Sequence, residues 1–220
     1  MSAWRPIVLC ALLAVLVFGW IRWRQPTTSQ TPNEASVVEK QPAVFTNRTF
    51  DPSAPPADMP PLAEGEAAEC DSNFMSKASV AGRSLQSDDT HAVVTFTHVR
   101  VALQLKIIIW VPSDASQRVV EHEQGHRQIS EYYYQSADKI AERISLKYVG
   151  KQVPISGSDL KSEFDRLLRQ AGNEITDEYG RELNVQATQL RYDSITDHSR
   201  NDVEAREAVA RVLKEVEAVL

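Results

Sequence analysis

One stripe of side chains limits what this chain can fold into more than any other feature. His122, His126, Ile129, Tyr133, Ala137, Ile140 and Ile144 follow one another at steps of three or four, the period of a single helical face. A helix carrying such a face must bury it against another layer. The segment just before it, residues 91–111, is apolar and rich in β-branched residues, and so reads as the strands of that layer. Two imidazoles share the stripe with the apolar side chains. Polar rings turned inward are costly unless something satisfies them.

The two rings belong to His122-Glu123-Gln124-Gly125-His126, an H-E-x-x-H string. Histidines four apart on a helix stand one turn apart on the same side, so both can reach one ion, and Glu123 sits where it can take a proton from water activated there. Neutral imidazoles suit Zn2+, which is the expected cofactor. A catalytic zinc needs three protein ligands and one open position, so a third ligand is required. The metzincin spacing would place a glycine and a ligand at Ile129 and Tyr132, and neither residue fits. Glu174, in Asn173-Glu174-Ile175-Thr176-Asp177, resembles the downstream glutamate of thermolysin-like enzymes, with the aspartate one residue early. His198 is the one histidine downstream of the motif. On the residues alone, Glu174 and His198 both stay open. Glu131 falls too far round the helix from His126 to be a ligand. His91 and His98, in the strand region, read as structural.

The N-terminus carries a different signal. Pro6 to Ile21 is apolar and uncharged, flanked by Arg5, Arg22 and Arg24, with Trp4, Trp20 and Trp23 at its edges. With the tryptophans it approaches the ~20 residues that a bilayer requires. No small-x-small cleavage site follows it directly. Residues 1–24 are therefore expected to be an uncleaved anchor, crossing a membrane through residues 4–23, with the arginines on both sides leaving its orientation open by charge alone. A cleaved signal is the alternative. Residues 25–69 are rich in proline, alanine and serine, with doublets at Pro55-Pro56 and Pro60-Pro61. They read as a disordered tether, leaving residues 70–220 as the folded domain. The chain has 24 basic and 30 acidic residues. Three of the basic ones flank the apolar run, so the remainder is more acidic still, which argues against a nucleic-acid partner. Cys10 lies inside the apolar run, and Cys70 is the only other cysteine, so no disulfide within the domain is expected.

Along the domain, His91–Arg100 and Val101–Val111 read as two strands, the second ended by Pro112. Ser113 or Asp114 can cap a long helix reaching about Tyr148, with Gly150 beyond it. Pro154 and Gly157 mark a turn. Ser158 or Asp159 opens a further helix past Ile175, and another begins near Asp202. The expected fold is α+β: a small antiparallel sheet, then the long motif-bearing helix and further helices, in a zincin-like arrangement. The Lys106–Val111 stretch is the candidate edge strand for holding a substrate backbone by strand addition.

Two strings together resemble a known family. Val120-Glu121-His122-Glu123-Gln124-Gly125-His126, followed by Ile129 and Glu131, is similar to the motif helix of a bacterial domain-of-unknown-function family. That family is described as predicted secreted or periplasmic zinc-dependent proteases. Its second motif, Tyr-Asp-x-x-Thr-x-His-Gly, is matched by Tyr192, Asp193, Thr196 and His198. The resemblance covers roughly residues 71–206. One departure is Ser199, where the family has glycine, a residue that often serves a positive φ. The resemblance implies a peptide or protein substrate and zinc held by His122, His126 and His198. It also implies Glu123 as general base, Asp193 as the group orienting a ligating imidazole, and Tyr192 as donor to the developing oxyanion. A zinc-stabilised scaffold without catalysis, and a hydrolase of another bond, would use the same strings.

Overall fold

A computed structural model describes residues 35–62 and 65–218. Its spine is one strand, β4 (His91–Pro112), where the sequence suggested two. The reason for that misreading is visible in the burial. Ala92, Val94 and Phe96 point inward, and beyond them Val99, Val101, Leu103, Leu105, Ile107 and Ile109 do. The inward set switches from even to odd numbers where the pairing register slips, between Ala81 opposite His98 and Gly82 opposite Phe96. This β-bulge inserts one residue and flips every later side chain to the other face. The strand continues through it.

β4 pairs antiparallel with β3 (Glu69–Asp88) along most of its length. The hairpin turn is closed by Asp88, whose Oδ1 accepts from the Thr90 amide at 2.8 Å, an Asx-type turn. The opposite edge of β4 carries three short strands. β5 (Gln152–Ser156) pairs antiparallel, whereas β1 (Ser36–Lys40) and β2 (Val44–Phe50) pair parallel. The sheet is therefore mixed, and the expected small antiparallel sheet is corrected. The expected turn at Pro154 is part of β5.

The tether expectation changes as well. Residues 36–50 of the 25–69 segment lie in the sheet. β1 and β2 are separated at Pro42, which has no amide hydrogen to continue the ladder. Most β2 side chains are exposed, so backbone pairing holds this strand more than apolar burial does. Hydrophobic patterning cannot detect such a strand. The membrane-anchor expectation, residues 4–23, lies outside the described residues. Among the described residues no helix is long and apolar enough to cross a membrane.

Helices cover one face of the sheet. Ser116, and neither Ser113 nor Asp114, caps α1 (Gln117–Gln135) by accepting from the Val119 amide. The long helix expected to reach Tyr148 breaks at Ser136 and resumes as α2 (Ala137–Leu146). Asp159 caps α3 (Leu160–Leu183), accepting from the Ser162 amide at 3.0 Å. α4 (Val185–Thr196) and α5 (Ala205–Glu217) follow. The main core joins the inner face of β4 to Ala137, Ala141 and Ile144 of α2 and Ala171, Ile175 and Tyr179 of α3. A smaller core joins Ile129 of α1 and Tyr192 of α4 to Ala208, Val209 and Val212 of α5. Four strands, two helices, a fifth short strand and three further helices make an α+β order compatible with the one that the sequence implied.

Candidate metal centre

α1 enters the interior with His122 and Glu123 both buried. α4 crosses it and presents Gln189, Tyr192, Asp193 and Thr196, residues spaced three and four apart on one helical face. The two helices come close because Gly125 has no side chain. A Cβ there would lie 2.1 Å from the Tyr192 hydroxyl. Tyr192 fills that space, stacks on the His122 ring at 5.0 Å and meets the His126 ring edge-on at 4.8 Å. Its hydroxyl donates to the His122 carbonyl at 3.1 Å. Tyr192 is thus fully buried with its donor already engaged, which corrects the expectation of an oxyanion donor. It sets the position of both imidazoles.

Three atoms converge beside it. His122 Nε2 and His126 Nε2 are 3.1 Å apart. Asp193 Oδ1 lies 3.3 Å from the first and 2.8 Å from the second, yet its angles give it no hydrogen bond. Donors at the corners of a tetrahedron of 2.0–2.1 Å bonds stand about 3.3 Å apart. The three atoms therefore have the spacing of ligands around one small divalent cation.

The tautomer also fits. Gln189 Nε2 donates to the His126 carbonyl at 3.0 Å and to Ser130 Oγ at 2.9 Å. This turns Gln189 Oε1 toward His126 Nδ1, 2.6 Å away. Nδ1 donates to that oxygen, leaving the Nε2 lone pair facing the other donors, the usual support for a ligating histidine. Two histidines and one carboxylate, with a fourth side open, form a donor set that zinc accepts.

Burial pushes the Glu123 carboxyl up to about 8, with Glu69, Glu66 and Asp193 adding to the rise and His126 opposing it. Burial and Glu66 likewise raise Glu69 to about 7. Burial disfavours a charged His126, but Asp193 outweighs it and raises that imidazole to about 9. Burial would raise Asp193 too, but the two imidazoles hold it well below the usual carboxylate range. A divalent cation among these atoms would favour charged carboxylates and neutral imidazoles.

Of the expected ligands, His122 and His126 are brought together. His198 does not join them, and Asp193 takes the third corner. The physical reason is the end of α4. Asp193 lies on its inward face, whereas His198 follows its C-terminus in a run of left-handed residues, Asp197, His198 and Ser199. Ser199 has a φ of 66°. His198 falls instead beside Glu66. Glu174 is remote from both groups and accepts from Tyr148 and Gln170. Glu131 pairs with Arg127, and His91 and His98 bond locally to Asp88 and Thr97.

A cleft of about 1450 Å³ opens at the cluster, with Glu123, His126 and Asp193 in its wall. The Lys106–Val111 stretch does not border it and is paired on both edges, by β3 and β2. Instead the start of β3, from Glu69 to Ser76, forms one side, and among the described residues no strand pairs with its outer edge. Sequence reading missed Gln189, Glu66 and Glu69. Gln189 had a usable signal, four residues before Asp193 on a helix. Glu66 had none, because it lies in a loop within the presumed tether. No family model, curated protein or solved structure matches the chain.

Proposed function

We propose that the chain is a zinc-dependent metallopeptidase of the H-E-x-x-H type, akin to the predicted secreted or periplasmic zinc proteases that its two motifs resemble. In this reading residues 4–23 anchor it in a bacterial inner membrane and the folded part faces the periplasm. The observation that carries the reading is the triangle of His122 Nε2, His126 Nε2 and Asp193 Oδ1 on the wall of an open cleft, with Glu123 beside it.

When bound, zinc would supply a Lewis acid that makes water nucleophilic near neutral pH. Glu123 would accept a proton from an attacking water and return it to the leaving amine. His122, His126 and Asp193 would hold the cation, with Gln189 orienting the His126 ring and Tyr192 keeping both rings in place. The free edge of β3 offers main-chain groups to an extended peptide, which would lie across the cleft as an added strand.

The test is Glu123→Gln in the full chain. Zinc content should stay at the wild-type level, while hydrolysis of a fluorogenic peptide library falls by about 10²–10⁴-fold. Full turnover in that variant would remove Glu123 from the mechanism.

A further inference from the structure

The triangle of His122, His126 and Asp193 leaves two neighbours without a task. Glu66, Asp193 and His198 form a second group, in which one ligand atom from each lies within 4.8 Å of the others. His198 Nδ1 is 3.4 Å from Glu66 Oε1. An ordinary ion pair at this place would be hydrogen-bonded. Here His198 Nδ1 is a buried atom with no hydrogen-bond partner among the described residues. Asp193, which belongs to both groups, is only 8 % exposed and its Oδ1 is equally unpartnered. The buried, unpartnered Nδ1 of His198 thus lies within reach of the Glu66 carboxylate and of the carboxylate that the first triangle uses.

We infer that Glu66, His198 and the shared carboxylate of Asp193 hold a second divalent cation, so that Asp193 bridges two ions. The inference rests on the proposed use of His122, His126 and Asp193 as the first site. The donor chemistry agrees: one imidazole and two carboxylates suit zinc or manganese. So does the charge. Glu66, Glu69, Glu123 and Asp193 all line the one cleft, an acidic surround that favours a bound cation over an empty pocket.

The arrangement also gives the left-handed turn at Asp197–Ser199 a use. It carries His198 off the axis of α4 and beside Glu66, leaving the first triangle to Asp193. In two-metal hydrolases, paired ions about 3.5–4 Å apart clamp the attacking and leaving oxygens. The second cation would place this chain in that class, and would make His198 a ligand of the second ion instead of the first.

The experiment titrates the chelator-stripped full chain with Zn2+ and counts bound metal after desalting, beside His198→Ala, Glu66→Gln and His126→Ala. Two zinc ions per chain, reduced to one in both His198→Ala and Glu66→Gln, is the expected result. One ion in the wild type, retained in those two variants and lost in His126→Ala, overturns the second site and leaves the first intact. One ion lost with His198 as well as His126 means a single site ligated by His198, and also overturns the inference. No zinc in the wild type overturns both readings. Loading with Mn2+ gives a check independent of folding in His198→Ala. Spin-coupled ions in the wild type and an isolated-ion spectrum in Glu66→Gln support the bridge, whereas isolated ions in the wild type refute it.

Discussion

The stripe that runs from α1 into α2 has two ends that are buried by different means. At the far end Ala137, Ala141 and Ile144 are fully enclosed against the sheet. Apolar contact alone stabilises them, because removing their surface from water is favourable without any partner of defined direction. At the near end His122 and Glu123 are almost as well buried, yet packing cannot stabilise them. They depend on charge and on directed donors, supplied by Asp193, Gln189 and, in the proposed reading, a cation. The lesson is that one helical period can serve both a core and a site. The difference lies in what faces each end across the gap.

The largest difference between the ends should appear in Ile144→Ala. It should cost about 2–5 kcal/mol, with the same loss in chemical denaturation with and without zinc. Asp193→Asn should behave in the opposite way. It should abolish zinc-dependent stabilisation, which for the wild type reaches about 2.7 kcal/mol when free zinc is 100 times its dissociation constant. In chelator it should also cost stability, because the buried imidazoles lose the carboxylate that pairs with them, so the readout is the zinc-dependent increment on top of that loss. If Asp193→Asn destabilised the protein equally in both conditions, the near end would be a structural ion pair and the contrast would collapse.

Gly125→Ala should cost about 1–3 kcal/mol by overpacking, because its Cβ falls onto the Tyr192 hydroxyl. Tyr192→Phe in the same background should recover part of that loss. The readout is thermal unfolding together with zinc affinity. Gln189→Ala should weaken zinc about 10–100-fold with little change in the chelated protein's unfolding. An unchanged affinity would mean that Gln189 does not set the His126 tautomer.

The smallest effect is a proton count. Without metal, His126 is raised to about 9 and Glu123 to about 8, so near pH 7.5 both hold a proton in the metal-free protein. Zinc requires a neutral His126. Binding should therefore release protons, and affinity should rise with pH up to about 9. Calorimetry in buffers of different ionisation enthalpy measures the release. A value of zero would show that the apo site does not hold the proton on His126.

The sequence made the two ends of the stripe unequally legible. Its periodicity placed α1, the inward direction of His122 and His126, and the helices that follow, because these depend on residues close together along the chain. Alternation likewise placed β4, although the bulge at Thr97–His98 made one strand look like two. β1, β2 and β3 were missed because backbone pairing holds them and much of their side-chain surface is exposed. Hydrophobic patterning registers burial, and edge strands offer little of it.

The sequence by itself placed His122, Glu123 and His126 on an inward-facing helix, and only the resemblance of its second string pointed to Tyr192 and Asp193. Only the tertiary structure decided their roles. Asp193 rather than His198 stands at the two imidazoles, Tyr192 packs against them instead of facing the cleft, and Glu66 arrives from a segment that looked like tether. Local spacing encodes which face of an element a side chain occupies. Which faces meet depends on how α4 crosses α1 at Gly125 and on the left-handed turn that carries His198 away, and these depend on contacts between residues some 70 positions apart.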